Sequence, residues 1–271
     1  MNNPRLFGTL LAASLSLGSA PAFAVQLSYD FSTTPGDAFT EINEGGFWQI
    51  TTTGGELRVS KAPDAGLLGP SFQEPSFTRG GLRSNFLLDG DFSVTVDFTL
   101  YDFPLARSDR GLNESILRIA KPNEADFLVL RFSETFGQYV EAFSLPPGLP
   151  IGMTGSSATR GSYRIERVGS AVTGSYRADG QAAYQMLGSL VNFGGDSVFI
   201  DLTGRQGTSQ PLGATSPIYG PRSSLDVSFD NLYVTADRVT LIPLPAPLWL
   251  IGAGFLAYVG LGLKRRDRVA A

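Results

Sequence analysis

Apolar and polar residues alternate most regularly between Asp91 and Tyr101. In this segment Ser, Thr and Asp occupy the positions between five evenly spaced apolar residues: Phe92, Val94, Val96, Phe98 and Leu100. A period of two places the two sets on opposite faces of an extended chain. The pattern therefore predicts a long antiparallel strand with one face in a hydrophobic core. The preceding segment, Leu88-Asp89-Gly90-Asp91, predicts a turn.

Nine shorter segments predict strands by the same reasoning: 47–51, 56–60, 116–120, 127–132, 139–143, 162–168, 171–177, 197–202 and 225–235. Val168-Gly169-Ser170-Ala171 predicts a tight hairpin between two of them. No window of residues 25–240 shows a 3.6-residue period bounded by helix caps. Many strands without helices, together with 32 Gly and 17 Pro, predict an all-β jelly-roll sandwich. Segments 144–161 and 203–224, rich in Gly, Ser and Pro, predict long loops.

The N-terminal 24 residues differ from this pattern. A charged start at Arg5 precedes an apolar run over residues 6–17, and Ala22-Phe23-Ala24 follows. This order is typical of a secretory signal peptide, with Ala22 and Ala24 at the cleavage site. The alternative, a first transmembrane helix, is disfavoured because the apolar run is short and ends at the Ala-x-Ala pattern.

The C-terminal segment predicts a membrane span. Residues 248–263 are apolar or small, and counting from Pro243 gives a length that can cross a bilayer core of about 30 Å. A basic cluster follows and predicts an outer N-terminus and a cytoplasmic C-terminus: Lys264, Arg265, Arg266 and Arg268. The predicted organisation is a signal peptide (1–24), a β-sandwich (25–238), a proline-rich linker (239–247), a transmembrane helix (248–263) and a basic tail (264–271).

Composition excludes several kinds of chemistry. The chain contains no Cys and no His. Disulfides, thiolate nucleophiles, Cys/His zinc sites and Ser-His-Asp triads are therefore absent. Without the signal peptide and the basic tail, the chain carries 16 basic and 24 acidic residues, which argues against a nucleic-acid partner.

A resemblance becomes visible in the middle and late strands. Residues 161–170 (GSYRIERVGS) with 172–177 (VTGSYR), and later 227–234 (VSFDNLYV), resemble concanavalin A-like lectin and glucanase domains. The resemblance covers most of residues 25–236, and it implies a jelly-roll fold more than an activity.

The glucanases of that group imply a search for paired carboxylates. Their Glu-x-Asp-x-x-Glu pattern is matched in part by Glu124-Ala125-Asp126, but Val129 replaces the second Glu. Because glycoside hydrolysis needs two carboxylates at one bond, we predict no catalytic residues. Asp89-Gly90-Asp91 and Asp230-Asn231 offer oxygen ligands to Ca²⁺, but too few for six- to eightfold coordination. The sequence therefore predicts no metal and no cofactor.

The proline-rich segment suggests a more specific role for the C-terminus. Ile242-Pro243-Leu244-Pro245-Ala246, one apolar span and a terminal basic cluster resemble the bacterial PEP-CTERM sorting signals, in the variant Val-Pro-Leu-Pro-Ala with Ile242 in place of Val. The resemblance implies processing near this motif by exosortase, a membrane-embedded cysteine transpeptidase. It also implies export through the inner membrane and a final place at the surface or in an extracellular polysaccharide matrix.

Sugar binding needs exposed aromatic faces beside polar side chains. Four residues are candidates for glycan contact: Tyr101, Arg131, Tyr139 and Glu141. The alternative for the aromatic residues is packing in the core or at its rim. We expect a non-enzymatic, lectin-like surface protein anchored in the membrane or processed by exosortase. A carbohydrate-binding module of defined specificity is the alternative, and a glycoside hydrolase is a third, less favoured one.

Overall fold

The computed structural model describes residues 25–33, 36–62, 77–104, 111–122, 126–134, 137–145, 148–208 and 224–242. These residues form fifteen strands: β1 (Val25–Tyr29), β2 (Phe39–Asn43), β3 (Trp48–Thr53), β4 (Glu56–Lys61), β5 (Phe77–Ser84), β6 (Phe86–Asp102), β7 (Gly111–Ala120), β8 (Asp126–Glu134), β9 (Gly137–Leu145), β10 (Leu149–Gly155), β11 (Arg160–Val168), β12 (Ala171–Ala178), β13 (Gln185–Leu190), β14 (Phe199–Thr208) and β15 (Leu225–Leu241). Within these ranges the only helices are two 3₁₀ turns, Gly36–Ala38 and Glu44–Gly46. Neither is long enough to cross a membrane.

Two antiparallel sheets form the fold. An eight-stranded sheet has the order β13-β12-β11-β6-β15-β4-β3, with β1 also paired to β15. A seven-stranded sheet has the order β10-β9-β8-β7-β14-β5-β2. The all-β sandwich predicted from the alternating pattern is thereby confirmed. The signal peptide, the transmembrane helix, the basic tail and all of the sorting motif except Ile242 lie outside the described residues.

The core lies between the two sheets and contains the predicted apolar face of β6. Val94 and Val96 are fully buried there, and Phe98 stacks on Tyr163 of β11 with ring centroids 4.3 Å apart. The seven-stranded sheet contributes Leu117, Phe127 and other apolar residues from its inner face. Burial of these large side chains is the main stabilising term in a fold without disulfides.

The predicted turn at Leu88–Asp91 is wrong, because β6 continues through it. Gly90 has φ +71°, and the register between β6 and β15 shifts beside it, so the segment forms a bulge within the strand. Asp89 is buried and accepts hydrogen bonds from Ser197, Thr240 (2.8 Å) and Arg238 (3.1 Å). The Asp89-Gly90-Asp91 segment therefore bends the strand locally and does not reverse the chain.

The predicted loops are shorter than expected. Segment 144–161 contains β10, which pairs with β9. β14 continues to Thr208, and residues 209–223 lie outside the described part. β15 extends to Leu241, three residues beyond the predicted end of the sandwich, and the Ile242 amide donates to the carbonyl of Asn85 at 2.9 Å.

Strands β10 and β13 bring the edges of the two sheets together. A Cβ atom on Gly152 would overlap the carbonyl oxygen of Leu187, and one on Gly188 would overlap Ile151. Only glycine allows the two backbones to approach this closely. The pair closes one side of the sandwich.

We predict that Gly152→Ala destabilises the protein by about 2–3 kcal/mol, because the added methyl group meets a backbone atom that cannot rotate away. Chemical denaturation followed by tryptophan fluorescence measures the change. Gly155→Ala in the same strand is the matched control, since open space surrounds its Cβ position. We expect it to change stability by less than about 1 kcal/mol. Equal effects of the two substitutions would contradict the proposed close approach.

Candidate functional site

A groove of about 410 Å³ crosses the outer face of the eight-stranded sheet, where β6 lies between β11 and β15. We call it the β6–β15 groove. The polar residues of the alternating pattern form its floor, because they point away from the core. Its lining is Glu56, Asp97, Phe98, Thr99, Arg160, Gly161, Ser162, Arg177, Ala178, Asp179, Gly180, Gln181, Ser228, Asp230 and Asn231.

A chain of hydrogen bonds connects four strands across the floor. Arg177 Nη2 donates to Ser162 Oγ at 3.1 Å, and the Ser162 hydroxyl donates to Asp97 Oδ1. Asn231 Nδ2 donates to Asp97 Oδ2 at 3.1 Å and to Asp230 Oδ2 at 3.2 Å. Each side chain is therefore held in place by a neighbour on the next strand.

A bulge in β15 brings Asn231 into this chain. The register with β6 shifts between Asp230 and Tyr233, and Asn231 adopts φ +49°. Asn tolerates this left-handed conformation better than most residues. The bulge thereby turns the Asn231 amide towards the two carboxylates that it connects.

The groove is electrostatically negative. Four of its lining residues are acidic and two are arginines. In the part of the chain that the structure describes, no ion pair includes Glu56, Asp97 or Asp230. Burial raises the pKa of Asp230 above its ordinary value, and the nearby charges of Asp97, Glu56 and Asp30 raise it further. This field disfavours polyanions relative to uncharged ligands.

Two tyrosines flank the groove, and each contacts a lining residue without belonging to the lining itself. The Tyr101 hydroxyl lies 2.9 Å from both carboxylate oxygens of Glu56, and the Arg58 guanidinium lies 4.6 Å from the ring centroid. The side chain of Tyr101 is nevertheless 47 % exposed. Tyr184 packs beside the guanidinium of Arg177 at 4.8 Å. Both aromatic rings are thus held beside polar groups.

A second groove, of about 230 Å³, lies on the opposite outer face, on the seven-stranded sheet. It is lined by Glu44, Arg79, Ile116, Arg118, Asp126, Leu128, Leu145, Thr203 and Arg205. Tyr139 and Glu141 belong to this face, because they pair with Phe132 and Leu130. Tyr139 is half-buried and stacks on Phe132 with centroids 5.2 Å apart.

Arg131 does not lie on either outer face, so its predicted glycan contact is wrong. Its side chain is fully buried between the sheets, where Nη1 donates to the Ser156 carbonyl at 2.7 Å and Nη2 to Gln138 Oε1 at 3.0 Å. Burial lowers the pKa of Arg131 from its usual value. The guanidinium ties β8 to β9 and to the segment after β10.

The four predicted contact residues therefore do not share one site. Tyr101 flanks the β6–β15 groove, Tyr139 and Glu141 lie on the other face, and Arg131 is internal. The sequence prediction missed the groove residues Asp97, Ser162, Arg177 and Asn231. The alternation in β6 placed the Asp97 side chain on the polar, outer face of the strand. No local pattern linked Asp97 to its partners, which lie 65 to 134 positions away in sequence.

Other carboxylates that the sequence analysis considered for catalysis or metal binding are bonded to neighbouring groups. Asp126 pairs with Arg118 at 2.5 Å, and Glu124 lies outside the described residues. Asp91 accepts the amide hydrogen of Gly169 at 2.7 Å. Within the ranges described here, no three acidic residues come together in an arrangement that could hold a metal ion.

Sequence comparison assigns no family: no family model matches the chain, and no curated protein matches it. Solved structures do resemble it. A functionally unknown protein from Saccharomyces cerevisiae aligns with a TM-score of 0.50 and 10% identity over 77% of this chain and 98% of that one. The CBM2 module of the evolved Dit of Lactobacillus casei BL23 phage J-1 aligns with a TM-score of 0.52 and 7% identity over 82% and 99%.

A third structure, lectin UEA-II complexed with galactose, aligns at 10% identity over 80% of this chain and 99% of that one, with a TM-score of 0.48. At identities this low the likeness is one of fold alone. The two alignments with TM-scores of 0.50 and 0.52 agree with a β-sandwich fold, and they leave activity to the chemistry of the site.

We predict that Asp230→Asn raises Tm at pH 7 by a small amount, on the order of 1–2 °C. A raised folded-state pKa means that ionisation of Asp230 opposes folding at neutral pH. This cost disappears as the pH falls below the unfolded-state value of about 4. Thermal melts at pH 7 and pH 3 should therefore show the gain only at pH 7.

Asp226→Asn on the same strand is the control, because Asp226 pairs with Arg58 at 2.5 Å. We expect it to leave Tm unchanged or to lower it at pH 7. A lower Tm for Asp230→Asn at pH 7 would show instead that the ionised carboxylate stabilises the groove.

Proposed function

We propose that this domain binds carbohydrate without cleaving it, and that the β6–β15 groove is the binding site. The observation that carries the proposal is the row of fixed polar groups between two tyrosines. Arg177, Ser162, Asp97 and Asn231 lie on four neighbouring strands, so the row is about 15 Å long at a strand spacing of roughly 4.8 Å.

The groups in this row match the surface of a sugar. Each hydroxyl of a saccharide both donates and accepts hydrogen bonds, and the groove offers carboxylate acceptors, guanidinium donors and a serine hydroxyl. The apolar C–H face of a sugar ring packs on aromatic side chains, and Tyr101 has an exposed ring. The negative lining favours a neutral saccharide over an acidic one.

The same hydrogen bonds argue for binding rather than hydrolysis. Both oxygens of Asp97 accept a hydrogen bond, from Ser162 and from Asn231. Both oxygens of Asp230 accept from Asn231, one from its backbone amide at 2.6 Å and one from its side chain. A carboxylate that attacks or protonates a glycosidic bond needs an oxygen directed at the substrate. Both carboxylates are instead fixed by the protein, and the second lone pair of each oxygen leaves them able to accept a hydrogen bond from a sugar hydroxyl.

We also propose that the protein is exported and processed at its C-terminus. The support is the sequence: Ala22-Phe23-Ala24, the motif at Ile242–Ala246, the apolar span and the basic cluster. A membrane and an exosortase-type enzyme are the partners that this proposal implies, and an extracellular polysaccharide is the ligand source that it suggests. A cut after Ile242 would leave β15 whole, since that strand ends at Leu241.

We predict that Tyr101→Ala weakens glycan binding about three- to tenfold through loss of a stacking surface. Asp97→Asn should weaken it about tenfold through loss of a charged acceptor. The measurement is titration calorimetry of the full chain in a mild detergent with a neutral oligosaccharide selected on a glycan array. Tyr233→Ala is the matched control, because Tyr233 is 44 % exposed on the same sheet, whereas only Tyr101 has its hydroxyl bonded to a lining residue, Glu56.

Two outcomes would contradict the proposed function. Equal loss of affinity in the Tyr101 and Tyr233 variants would place the ligand elsewhere. Release of reducing ends from the bound glycan, abolished by Asp230→Asn, would show that the site is catalytic.

For the C-terminus, we predict that replacing Pro243 and Pro245 together by Ala causes the full-length chain to accumulate in the cytoplasmic membrane. Proline has a fixed φ and no N–H, which keeps the motif extended and accessible to a processing enzyme. Size and cell fractionation in the native host are the measurements, and Pro150→Ala within the sandwich is the control. Unchanged processing would leave a simple transmembrane anchor.

A further inference from the structure

A cluster of charged residues lies beside the second groove, on the outer face of the seven-stranded sheet. Asp201 is at its centre, and its side chain is fully buried. Arg83 contacts both oxygens of Asp201 at 2.8 and 2.9 Å, and Arg118 Nη1 contacts it at 3.0 Å. Arg79 Nη1 lies 3.7 Å away. Three guanidinium groups thus surround one carboxylate.

Two further buried carboxylates each pair with an arginine of this cluster. Glu114 pairs with Arg205, and Asp126 pairs with Arg118 at 2.5 Å. The side chains of Asp126, Glu114 and Asp201 are at most 9 % exposed, whereas those of the four arginines are 17 to 34 % exposed. The carboxylates therefore orient the cluster from inside, and the guanidinium groups face the solvent. We call Arg79, Arg83, Arg118 and Arg205 the arginine face.

Buried acids orient the arginine face, and its four positive charges are balanced by Asp201, Asp126, Glu114 and the exposed Glu44. An anion therefore binds there by replacing Glu44. A guanidinium has five N–H donors, and these carboxylate contacts use only some of them. Arg83 is held further by Phe199, whose ring centroid lies 4.1 Å from the guanidinium carbon. Little side-chain entropy remains to be lost on binding.

The floor of the second groove is apolar. Ile116, Leu128 and Leu145 line it beside Arg79, Arg118 and Arg205. Ile116 and Leu128 also belong to a small hydrophobic cluster on this outer face, separate from the main core. The accessible apolar part of the groove is therefore small and centred on Leu145, which fits a ligand with an anionic group beside a small apolar face.

We propose that this groove binds a carboxylate-bearing sugar, a hexuronate residue of a polysaccharide. Its ring would pack a C–H face on Leu145, the half-buried apolar residue of the lining, because Ile116 and Leu128 beneath are only 2 % exposed. Its carboxylate would accept hydrogen bonds from Arg79. Glu44 occupies that position in the unliganded protein, since its Oε1 lies 2.6 Å from Arg79 Nε. With 42 % of its side chain exposed, Glu44 is the carboxylate that an incoming ligand displaces.

An acidic peptide fits this groove less well. The groove lies on the face of the sheet, where β7 is paired on both sides by β8 and β14, and β8 by β7 and β9. A peptide backbone placed there would find no strand edge to pair with. Its amide groups would lose water against the apolar floor without compensation. A uronate residue has no backbone amide.

This site differs from the proposed function in ligand charge and in location. The β6–β15 groove is negative and lies on the eight-stranded sheet, whereas the arginine face lies on the other sheet. The two sites can therefore be tested independently with substitutions on opposite faces.

The test is titration calorimetry of the full chain in a mild detergent. The probes are galacturonate, mannuronate and glucuronate oligomers, each beside its neutral methyl ester. We expect at least one acid to bind, and its ester to bind at least about tenfold more weakly, because the ester loses charged hydrogen bonds. Arg79→Ala should cause a loss of about tenfold or more for the acid. Arg58→Ala on the opposite face is the matched control and should leave the affinity unchanged.

Glu44→Gln separates ligand binding from a structural role. Removing the competing carboxylate should tighten uronate binding several-fold, although it also removes an ion pair from the folded protein. Equal binding of acid and ester, no binding of any of the three acids, or weaker binding by Glu44→Gln would overturn the proposal. Loss of uronate binding in Tyr101→Ala would also overturn it, because the ligand would then lie in the β6–β15 groove.

Discussion

The pairing of β6 with β15 is the interaction on which most of this structure depends. Both strands are 17 residues long, and they lie side by side in the middle of the eight-stranded sheet. On its other side, β15 pairs first with β4 and then with β1, so one strand connects the start and the end of the sandwich. The apolar residues of both strands face the core, which fixes their register, because a shift of one residue would expose them.

Two irregularities in this pairing have different consequences. Near Gly90 the bulge buries Asp89 among hydrogen-bond donors from two other segments, and it therefore stabilises one end of the sheet. At Asp230–Tyr233 the bulge instead turns Asn231 towards Asp97 and gathers unpaired negative charge. Burial raises the pKa of Asp230, and the neighbouring carboxylates raise it further. Perturbed carboxylates in a groove are typical of binding sites.

The two outer faces of the sandwich have different chemistry although they share one core. On the eight-stranded sheet, polar side chains of alternating strands remain hydrated and form a negative groove. On the seven-stranded sheet, β7 and β8 have apolar residues on both faces, and buried carboxylates hold arginines beside the outer apolar cluster. Under the two binding proposals, the opposite faces would contact two chemically different saccharides.

Local sequence determined the strands and the direction of their side chains, because a period of two is set by the backbone itself. This applies to β6, β11 and β15, whose predicted apolar faces are all buried. The alternating pattern did not predict β5, because Gly80 and Gly81 interrupt it. The pattern also could not show that Arg131 has Gln138 and Ser156 as buried partners, because these residues are not its neighbours in sequence. Which strands pair, and which charges therefore meet, depends on residues far apart in the chain. Only the tertiary structure brings Ser162 to Asp97 and three arginines to Asp201, because burial of the whole core, rather than any local preference, selects those pairings.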